Sequence, residues 1–398
     1  MLSVAEAQSN VLKGVVVLAS EPVPLEFAAG RILASDLTAN VTNPPCDVSA
    51  MDGYAVRAAD TLIANARLTV TGTSAAGAGF AGRVEAGCAV RIFTGAPMPA
   101  GSDAVVIQEN VERAGEVITL HPDGKVVAGR HVRRAGLDFR AGDVLLTRGR
   151  RLAARELALA AAMNHATIPC ARRPRVGILA TGDELVSPGT QPGPDQIVSS
   201  SPAGLAADIS RWGGEAVTLG IARDTVQDIR DKLVDASLFD ILVTIGGASV
   251  GDYDLVQTAL SPDLDLQFWK IAMRPGKPLI FGTYRGARLL GLPGNPVSAF
   301  VCAQLFLKPL ILALSGASEP VWSFVTATLS SDVGPNDARQ EYSRAELARG
   351  DDGSWRVRPL PVQDSSMLRF LASADGLLVR PPHDLARKAG DQVLVLTL

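Results

Sequence analysis

The sequence predicts a multidomain α/β chain in which a doubly wound, mostly parallel sheet is flanked by β-rich N-terminal and C-terminal lobes. Three observations carry that expectation. Strand-like runs alternate with helical spacing after Arg175, glycines and alternating valines dominate 40–139, and β character returns after 320. At 398 residues the chain is too long for one ordinary domain. The expected division is a helical linker lobe (1–39 with 140–172), a β-rich lobe (40–139), an α/β domain (173–318) and a β-rich domain (319–398).

In chain order, Ser3-Val4-Ala5-Glu6-Ala7 starts a helix, and 25–34 also has helical character. Pro44-Pro45 then breaks the chain. Runs such as Arg67-Leu68-Thr69-Val70-Thr71 and Ala104-Val105-Val106-Ile107-Gln108 read as strands of the first lobe. A helix resumes over 151–163. Beyond Arg175, strands are expected at 176–180, 216–220 and 241–245, with helices at 203–212 and 225–234 between them. Shorter strands at 266–272, 279–281 and 289–292 lead to a helix after Pro296. The tail carries strand runs at 325–329, 355–357 and 393–396.

Composition narrows the function classes. An apolar fraction of 47%, a charged fraction of 20% and a net charge of −3 suit a globular protein without a broad nucleic-acid surface. Cys46, Cys88, Cys170 and Cys302 are scattered and form no Cys-x-x-Cys pair, so neither a zinc knuckle nor a disulfide framework is signalled. The apolar run 15–19 is too short for a secretory segment. The stretch 297–317 is interrupted by Gln304, Lys308 and Pro309, which favours a buried helix broken at the proline over a membrane span. A cytoplasmic protein with no nucleic-acid or membrane partner is expected.

The most informative stretch is 244–254, Thr-Ile-Gly-Gly-Ala-Ser-Val-Gly-Asp-Tyr-Asp. It follows an apolar strand run and precedes a helical one, so it is an open loop at the carboxyl edge of a parallel sheet, where α/β proteins bind ligands. Its Gly247-Ala248-Ser249-Val250-Gly251 matches the serine nucleophile elbow. That reading needs a downstream histidine, and only His383 is available, so a ligand cradle is preferred. Gly77-Ala78-Gly79-Phe80-Ala81-Gly82 matches the dinucleotide fingerprint, but a turn and strand follow where a helix is required.

Other loops should gather at the same edge. They are Thr181-Gly182-Asp183-Glu184, Asp224 beside Arg223, Arg274-Pro275-Gly276-Lys277-Pro278 and Leu292-Pro293-Gly294-Asn295-Pro296. Singly, each acid could be a helix N-cap and Lys277 a solvated lysine. As a set they offer carboxylates for Mg²⁺ and cations for phosphate. Asp52 in Met51-Asp52-Gly53 and Thr94 in Thr94-Gly95-Ala96-Pro97 are turn or site residues alike. Arg344 could present a guanidinium to an oxyanion or lie on a surface strand, and Ser365 in Asp364-Ser365-Ser366 could donate a hydroxyl.

Together, the words at 44–56, 94–97, 181–185, 246–254, 275–278 and 292–299 resemble the molybdopterin molybdenumtransferases, of which the gephyrin C-terminal region is a relative. The resemblance spans nearly the whole chain. It implies a molybdopterin-binding fold for the α/β domain and an elongated homodimer. It implies adenylylated molybdopterin and molybdate as substrates, Mg²⁺ as cofactor and release of AMP. Glu184 and Asp254 would hold Mg²⁺. Asp254, Asp224, Lys277, Asp52 and Asp138 would be catalytic. Thr94, Gly246, Gly247, Ser249, Gly251, Arg274, Pro293, Pro296, Arg344 and Ser365 would bind substrate. Transient contact with a molybdopterin adenylyltransferase or with molybdoenzymes is a further implication. The chain departs from the pattern at Cys46 (usually aromatic), Arg274 (commonly lysine), Val198-Ser199-Ser200-Ser201 (usually with an acid and an asparagine) and Asp364-Ser365-Ser366 (usually a glycine-flanked serine). The alternatives are an adenylyltransferase-like activity and a non-catalytic molybdopterin-binding scaffold.

Overall fold

A six-stranded sheet forms the centre of the computed structural model, which describes residues 1–247 and 255–398. Its strand order is Glu215–Ala222, Arg175–Thr181, Ile241–Ile245, Ala287–Leu292, Pro278–Tyr284 and Leu264–Lys270. The first four strands are parallel, and Pro278–Tyr284 runs against both of its neighbours. Every residue of Ile241–Ile245 is buried. An unbroken apolar run is what a strand needs when helices cover both faces of its sheet. Ser201–Trp212, Val4–Leu12 and the long helix after Asn295 pack on one face, with Val226–Lys232 and Leu255–Leu260 on the other. The doubly wound expectation therefore holds.

The N-terminal helix Val4–Leu12 begins with a reciprocal cap, in which Ser3 Oγ accepts from Glu6 N (3.2 Å) and the Glu6 carboxylate accepts from Ser3 N (2.8 Å). Its Val4, Ala7 and Val11 enter the α/β core rather than the linker lobe. The helical reading of 25–34 fails. Only Leu25–Phe27 makes a single 3-10 turn, Gly30 adopts φ +74°, and Ile32 and Leu33 bridge to Arg151 and Cys170. Antiparallel partners and a left-handed glycine outcompete local propensity there.

The first lobe is a sheet ordered Ala104–Ile107, Gly53–Val56, Cys88–Ile92, Arg67–Ser74, Val117–Leu120, Val111–Ala114. The glycine run 77–82 lies in a loop that leads to the strand Cys88–Ile92, so no helix starts where a dinucleotide site would need one.

The C-terminal sheet closes on itself, because Gln340–Arg349 pairs with both Trp355–Pro359 and Gly376–Arg380. It also recruits Met273–Arg274 from the α/β region, parallel to Gln340 and Glu341. That short ladder ties the 274–278 loop to the C-terminal domain.

The apolar stretch after Asn295 is one helix, Pro296–Leu314, with 83% of its most apolar window buried inside the fold. Pro309 does not end it. The turn before the proline, Ala303–Leu307, widens to a π helix, and Lys308–Leu314 continues. A wider turn relieves the proline ring of its clash with the preceding turn.

Within the C-terminal domain, Arg380 and Asp384 form a buried ion pair (3.0 Å; side chains 5% and 7% exposed). Arg387 also binds Asp384 at 2.6 Å, and the two guanidiniums hold its carboxyl below the usual range. A depressed carboxylate stabilises the fold above its unfolded pKa and loses that contribution as pH falls through the folded one. Asp384→Asn should therefore cost about 3 kcal/mol in urea unfolding at pH 7, and the deficit should shrink as the solution is acidified.

Candidate functional site

The parallel strands end together at one edge, and a cleft of about 790 Å³ opens there. Thr181 ends one strand and Gly182 follows it, Asp224 follows the next, Gly246 and Gly247 a third, and Pro293, Gly294 and Asn295 a fourth. The start of helix Ser201–Trp212 forms one side, with Ile197, Val198 and Ser199 before it. Ser366 and Leu368 of the C-terminal domain face it from another.

The floor is bare backbone. Gly246 has φ +95°, and a Cβ there would stand 2.5 Å from the Thr181 carbonyl oxygen. At Gly247 (φ +67°) a Cβ would meet Val256 Cγ2 at 2.7 Å. Both positions therefore demand glycine for conformation and for space. Beside them Thr181 Oγ1 is buried without a hydrogen-bond partner among the described residues. A hydroxyl left unsatisfied in this way costs on the order of 1–3 kcal/mol, and a ligand's polar atom at the floor would recover it.

Acids gather at one wall. Asp224 N donates to Asp183 Oδ1 at 3.1 Å, and Glu184 lies in the same loop as Asp183. Burial first, then repulsion from Asp183 and Glu184, push the Asp224 carboxyl above its ordinary range, although a hydrogen bond from the Asp183 backbone partly offsets this. Oxygen-only donors that repel one another suit a hard divalent cation such as Mg²⁺. Among the described residues no group of three or more His, Cys, Asp or Glu side chains forms a complete metal cage. Asp254, Ser249 and Gly251 lie outside the described residues.

The cationic residues divide. Lys277 is half-buried after Gly276, and among the described residues its ammonium has no ion pair or hydrogen bond. Arg274 instead faces the C-terminal domain, 2.8 Å from Glu341 and 3.6 Å from Asp337. Arg344 is neither a surface arginine nor aimed at the cleft. It is 1% exposed, and its guanidinium donates to the carbonyls of Val362 (3.2 Å), Asp364 (2.9 Å) and Met367 (3.0 Å) and to Gln363 Oε1 (3.4 Å). Its donors are spent on the 362–367 loop. That loop rests on the 292–296 turn: Ser365 Oγ accepts from Asn295 Nδ2 (2.8 Å), and its carbonyl accepts from Val297 N (3.1 Å).

The remaining expected residues sit in the first lobe. Asp52 accepts from Thr94 N (2.7 Å) and Thr94 Oγ1 (2.8 Å), which holds its carboxyl below the usual range. Asp138 accepts from Asn43 Nδ2 at 3.2 Å. None of the three lines the cleft of its own chain. Exposed Met51, Phe93 and Leu137 stand next to them in sequence.

Sequence reasoning brought the loops of Thr181 and Asn295 to this edge and named the 364–366 segment, but it gave no individual role to Asn295, Ser366 or the Thr181 hydroxyl and missed Gln363 as the partner of Arg344. Asn295 was signalled by its place before a helix-starting proline. Nothing local marks Gln363, whose role exists only because Arg344 is buried beside it.

Comparison with known proteins adds the following. Residues 2–164 match the MoeA N-terminal region (domain I and II), 177–313 a probable molybdopterin binding domain, and 326–398 the MoeA C-terminal region (domain IV). The chain is 34% identical over 408 residues to the molybdopterin molybdenumtransferase of Haemophilus influenzae, covering 99% of this chain and 98% of that one. It is 35% identical over 412 residues to molybdopterin molybdenumtransferase 2 of Mycobacterium tuberculosis, with both chains fully covered. A solved structure of the molybdopterin biosynthesis moeA protein of Pyrococcus horikoshii superposes with a TM-score of 0.83 at 28% identity, covering 100% of both chains.

The burial and crowding of Asp224 have a measurable consequence. Its raised carboxyl favours the fold in the protonated form, so that contribution is full below the unfolded pKa and is lost as pH rises through the folded one. Asp224→Asn should therefore melt at a higher temperature than the parent at pH 7, and the two should converge below the ordinary carboxylate range.

Proposed function

The chain belongs to the molybdopterin molybdenumtransferase family, and from that premise we propose how its cleft serves the reaction. The protein is a transferase that inserts molybdenum into molybdopterin. In our reading the pterin substrate arrives adenylylated, molybdate is the metal donor and AMP is released. The observation that supports this reading is the glycine-floored cleft with its wall of acids, which would admit a flat ring against bare backbone and leave carboxylates to meet a phosphoanhydride's metal ion.

The residues divide the work by charge. Gly246, Gly247, Pro293 and Pro296 shape the floor and rim, where a bulky heterocycle can lie close to the main chain. Ile197 and Val198 give that side an apolar wall. Glu184 with Asp254 would hold Mg²⁺, and Asp224 stands close enough to Asp183 and Glu184 to feel the same ion. Such an ion would neutralise charge on the phosphoanhydride oxygens. Lys277, whose ammonium has no ion pair among the described residues, would meet an oxyanion, a role suited to a point charge. Ser365 and Ser366 offer hydroxyls from the loop that Arg344 fixes, so Arg344 acts as a positioning residue. Phosphoanhydride cleavage depends on positioning and charge stabilisation, so no serine or cysteine nucleophile is required.

Asp52, Thr94 and Asp138 are proposed to complete the cleft of a second copy in a homodimer. Their absence from the lining of their own chain's cleft and the exposed apolar residues beside them support that reading. A cytoplasmic location and transient contact with the adenylyltransferase or with molybdoenzymes complete it.

Two measurements test these assignments. Protein incubated with adenylylated molybdopterin, molybdate and Mg²⁺ should release AMP, and Asp254→Ala or Glu184→Gln should slow release by about a hundredfold or more. Mg²⁺ should raise the melting temperature of the parent and not of Glu184→Gln; equal shifts would remove Glu184 from the metal site. Separately, Asp52→Asn and Lys277→Ala should each be inactive alone. Co-assembled, they should recover up to about half the activity of the parent dimers they replace, since one cleft of each mixed dimer is intact. No recovery in verified mixed dimers would place Asp52 with its own chain's cleft.

A further inference from the structure

Among the described residues no lysine, arginine or histidine lines the cleft, and its charged lining groups are the carboxylates of Glu184 and Asp224. Lys277 precedes the lining residue Pro278 and is not itself part of the wall. Phosphoryl oxygens in such a cleft need a metal ion, hydroxyls or main-chain N–H groups as partners. One wall offers the last two. Ser199 and Ser201 are only 9% and 6% exposed, and both line the cleft. A serine this buried ordinarily spends its hydroxyl on a nearby protein group. Among the described residues neither of these hydroxyls does so.

Both serines stand at the start of helix Ser201–Trp212, which is twelve residues long and presents the positive end of its dipole there. The first-turn N–H groups of Ser201 and Ala203 have no acceptor among the described residues, and Pro202 has no N–H to offer. The helix that begins at Pro296 also starts at the cleft, but its Val297 N–H is already given to the Ser365 carbonyl (3.1 Å). The serine wall is tied to the loop of acids. A short parallel ladder pairs Leu185 with Ile197 and Val186 with Val198, and Ile197 N and Ser199 N donate to the carbonyls of Glu184 (2.8 Å) and Val186 (2.9 Å). In the family pattern this segment carries an acid and an asparagine, whereas Val198-Ser199-Ser200-Ser201 carries no acid. A carboxylate there would repel an anion, and hydroxyls do not.

Resting on the reading of the cleft as the seat of a phosphoanhydride, we propose that Ser199 and Ser201 form a subsite for phosphoryl oxygens, in which two hydroxyls and the free N–H groups of the helix start donate to the anion. The departure at 198–201 is then a change of partner, since an anionic group is held where the family pattern presents an acid. The phosphoryl group belongs to the adenylate half or to the pterin half of the substrate, and the recognition chemistry is the same for either.

The test is calorimetric titration of the full chain, in buffer containing Mg²⁺, with AMP and with molybdopterin. Each is paired with its phosphate-free counterpart, adenosine or the dephosphorylated pterin. A variant combining Ser199→Ala and Ser201→Ala should bind AMP, molybdopterin or both about tenfold or more weakly than the parent, as loss of hydrogen bonds to a charged group implies, with the phosphate-free counterparts unaffected. Loss confined to AMP assigns the adenylate phosphoryl, and loss confined to molybdopterin assigns that of the pterin half. Ser199→Asp, which puts a carboxylate in the wall, should weaken the same ligand at least as much, and it carries the test alone if the double variant does not fold. Undiminished binding of both phosphates by the folded variants would overturn the proposal. So would equal weakening of the phosphate-free counterparts, or a parent that binds neither phosphate. AMP release from adenylylated molybdopterin, followed in parallel, separates the two failures. A parent that releases none overturns the functional reading, whereas an active parent beside variants of unchanged phosphate affinity overturns the subsite alone.

Discussion

The Arg344 guanidinium, buried inside the C-terminal domain, is the contact on which the outer side of the cleft depends. It donates to three main-chain carbonyls of the 362–367 loop and to Gln363, whose own amide returns bonds to the carbonyls of Arg344 and Leu360, each at 2.9 Å. The loop has little packing of its own, and all six of its residues from 362 to 367 are half-buried or exposed while making irregular turns. A buried cation with a full set of carbonyl acceptors supplies the order that a strand ladder would supply elsewhere. Removing it would leave several acceptors unmatched, at a cost of about 1–3 kcal/mol each. The position of Ser365 against Asn295 follows from this, and with it the presentation of Ser366 to the cleft.

The opposite wall is built on the reverse principle. Among the described residues Asp183, Glu184 and Asp224 come together with no ion-paired cation, and burial, then repulsion from the other two acids, raises the Asp224 pKa. Such crowding lowers stability and is retained where a ligand or ion supplies the missing charge. The glycine floor has the same logic. A Cβ at Gly246 would collide with the Thr181 carbonyl, so the strand ends are packed as close as main chain allows and the cleft keeps its depth.

Much of this was legible in the sequence because it rests on local pattern. The apolar run of Ile241–Ile245, the glycines at 246 and 247, and the acids after Thr181 predict a ligand edge by themselves, and alternation with helices predicts a mostly parallel sheet. The errors came where a distant partner decides the outcome. Residues 25–34 have helical composition but bridge to Arg151 and Cys170 instead. Pro309 promises a break that a π turn removes. Arg344 resembles an oxyanion ligand until its burial is known, and Arg274 until Glu341 is seen beside it. For 25–34, Arg344 and Arg274 the competing contact lay far off along the chain, whereas at Pro309 it lay in the adjoining turn.

The short ladder of Met273–Arg274 with Gln340 and Glu341 explains why Arg274 is diverted. Once the α/β region lends two residues to the C-terminal sheet, the Arg274 side chain falls among Glu341, Asp337 and Asn336, and its charge is matched there. Lys277, three residues on and past the left-handed Gly276, is carried away from those acids, and among the described residues its charge stays unmatched. The turn therefore sorts two similar cations into different tasks. Arginine, with a planar fork, fixes the domain contact, and lysine, with a compact charge on a flexible stem, remains available to an oxyanion. The identity of the residue at each position is thus a consequence of where the ladder ends.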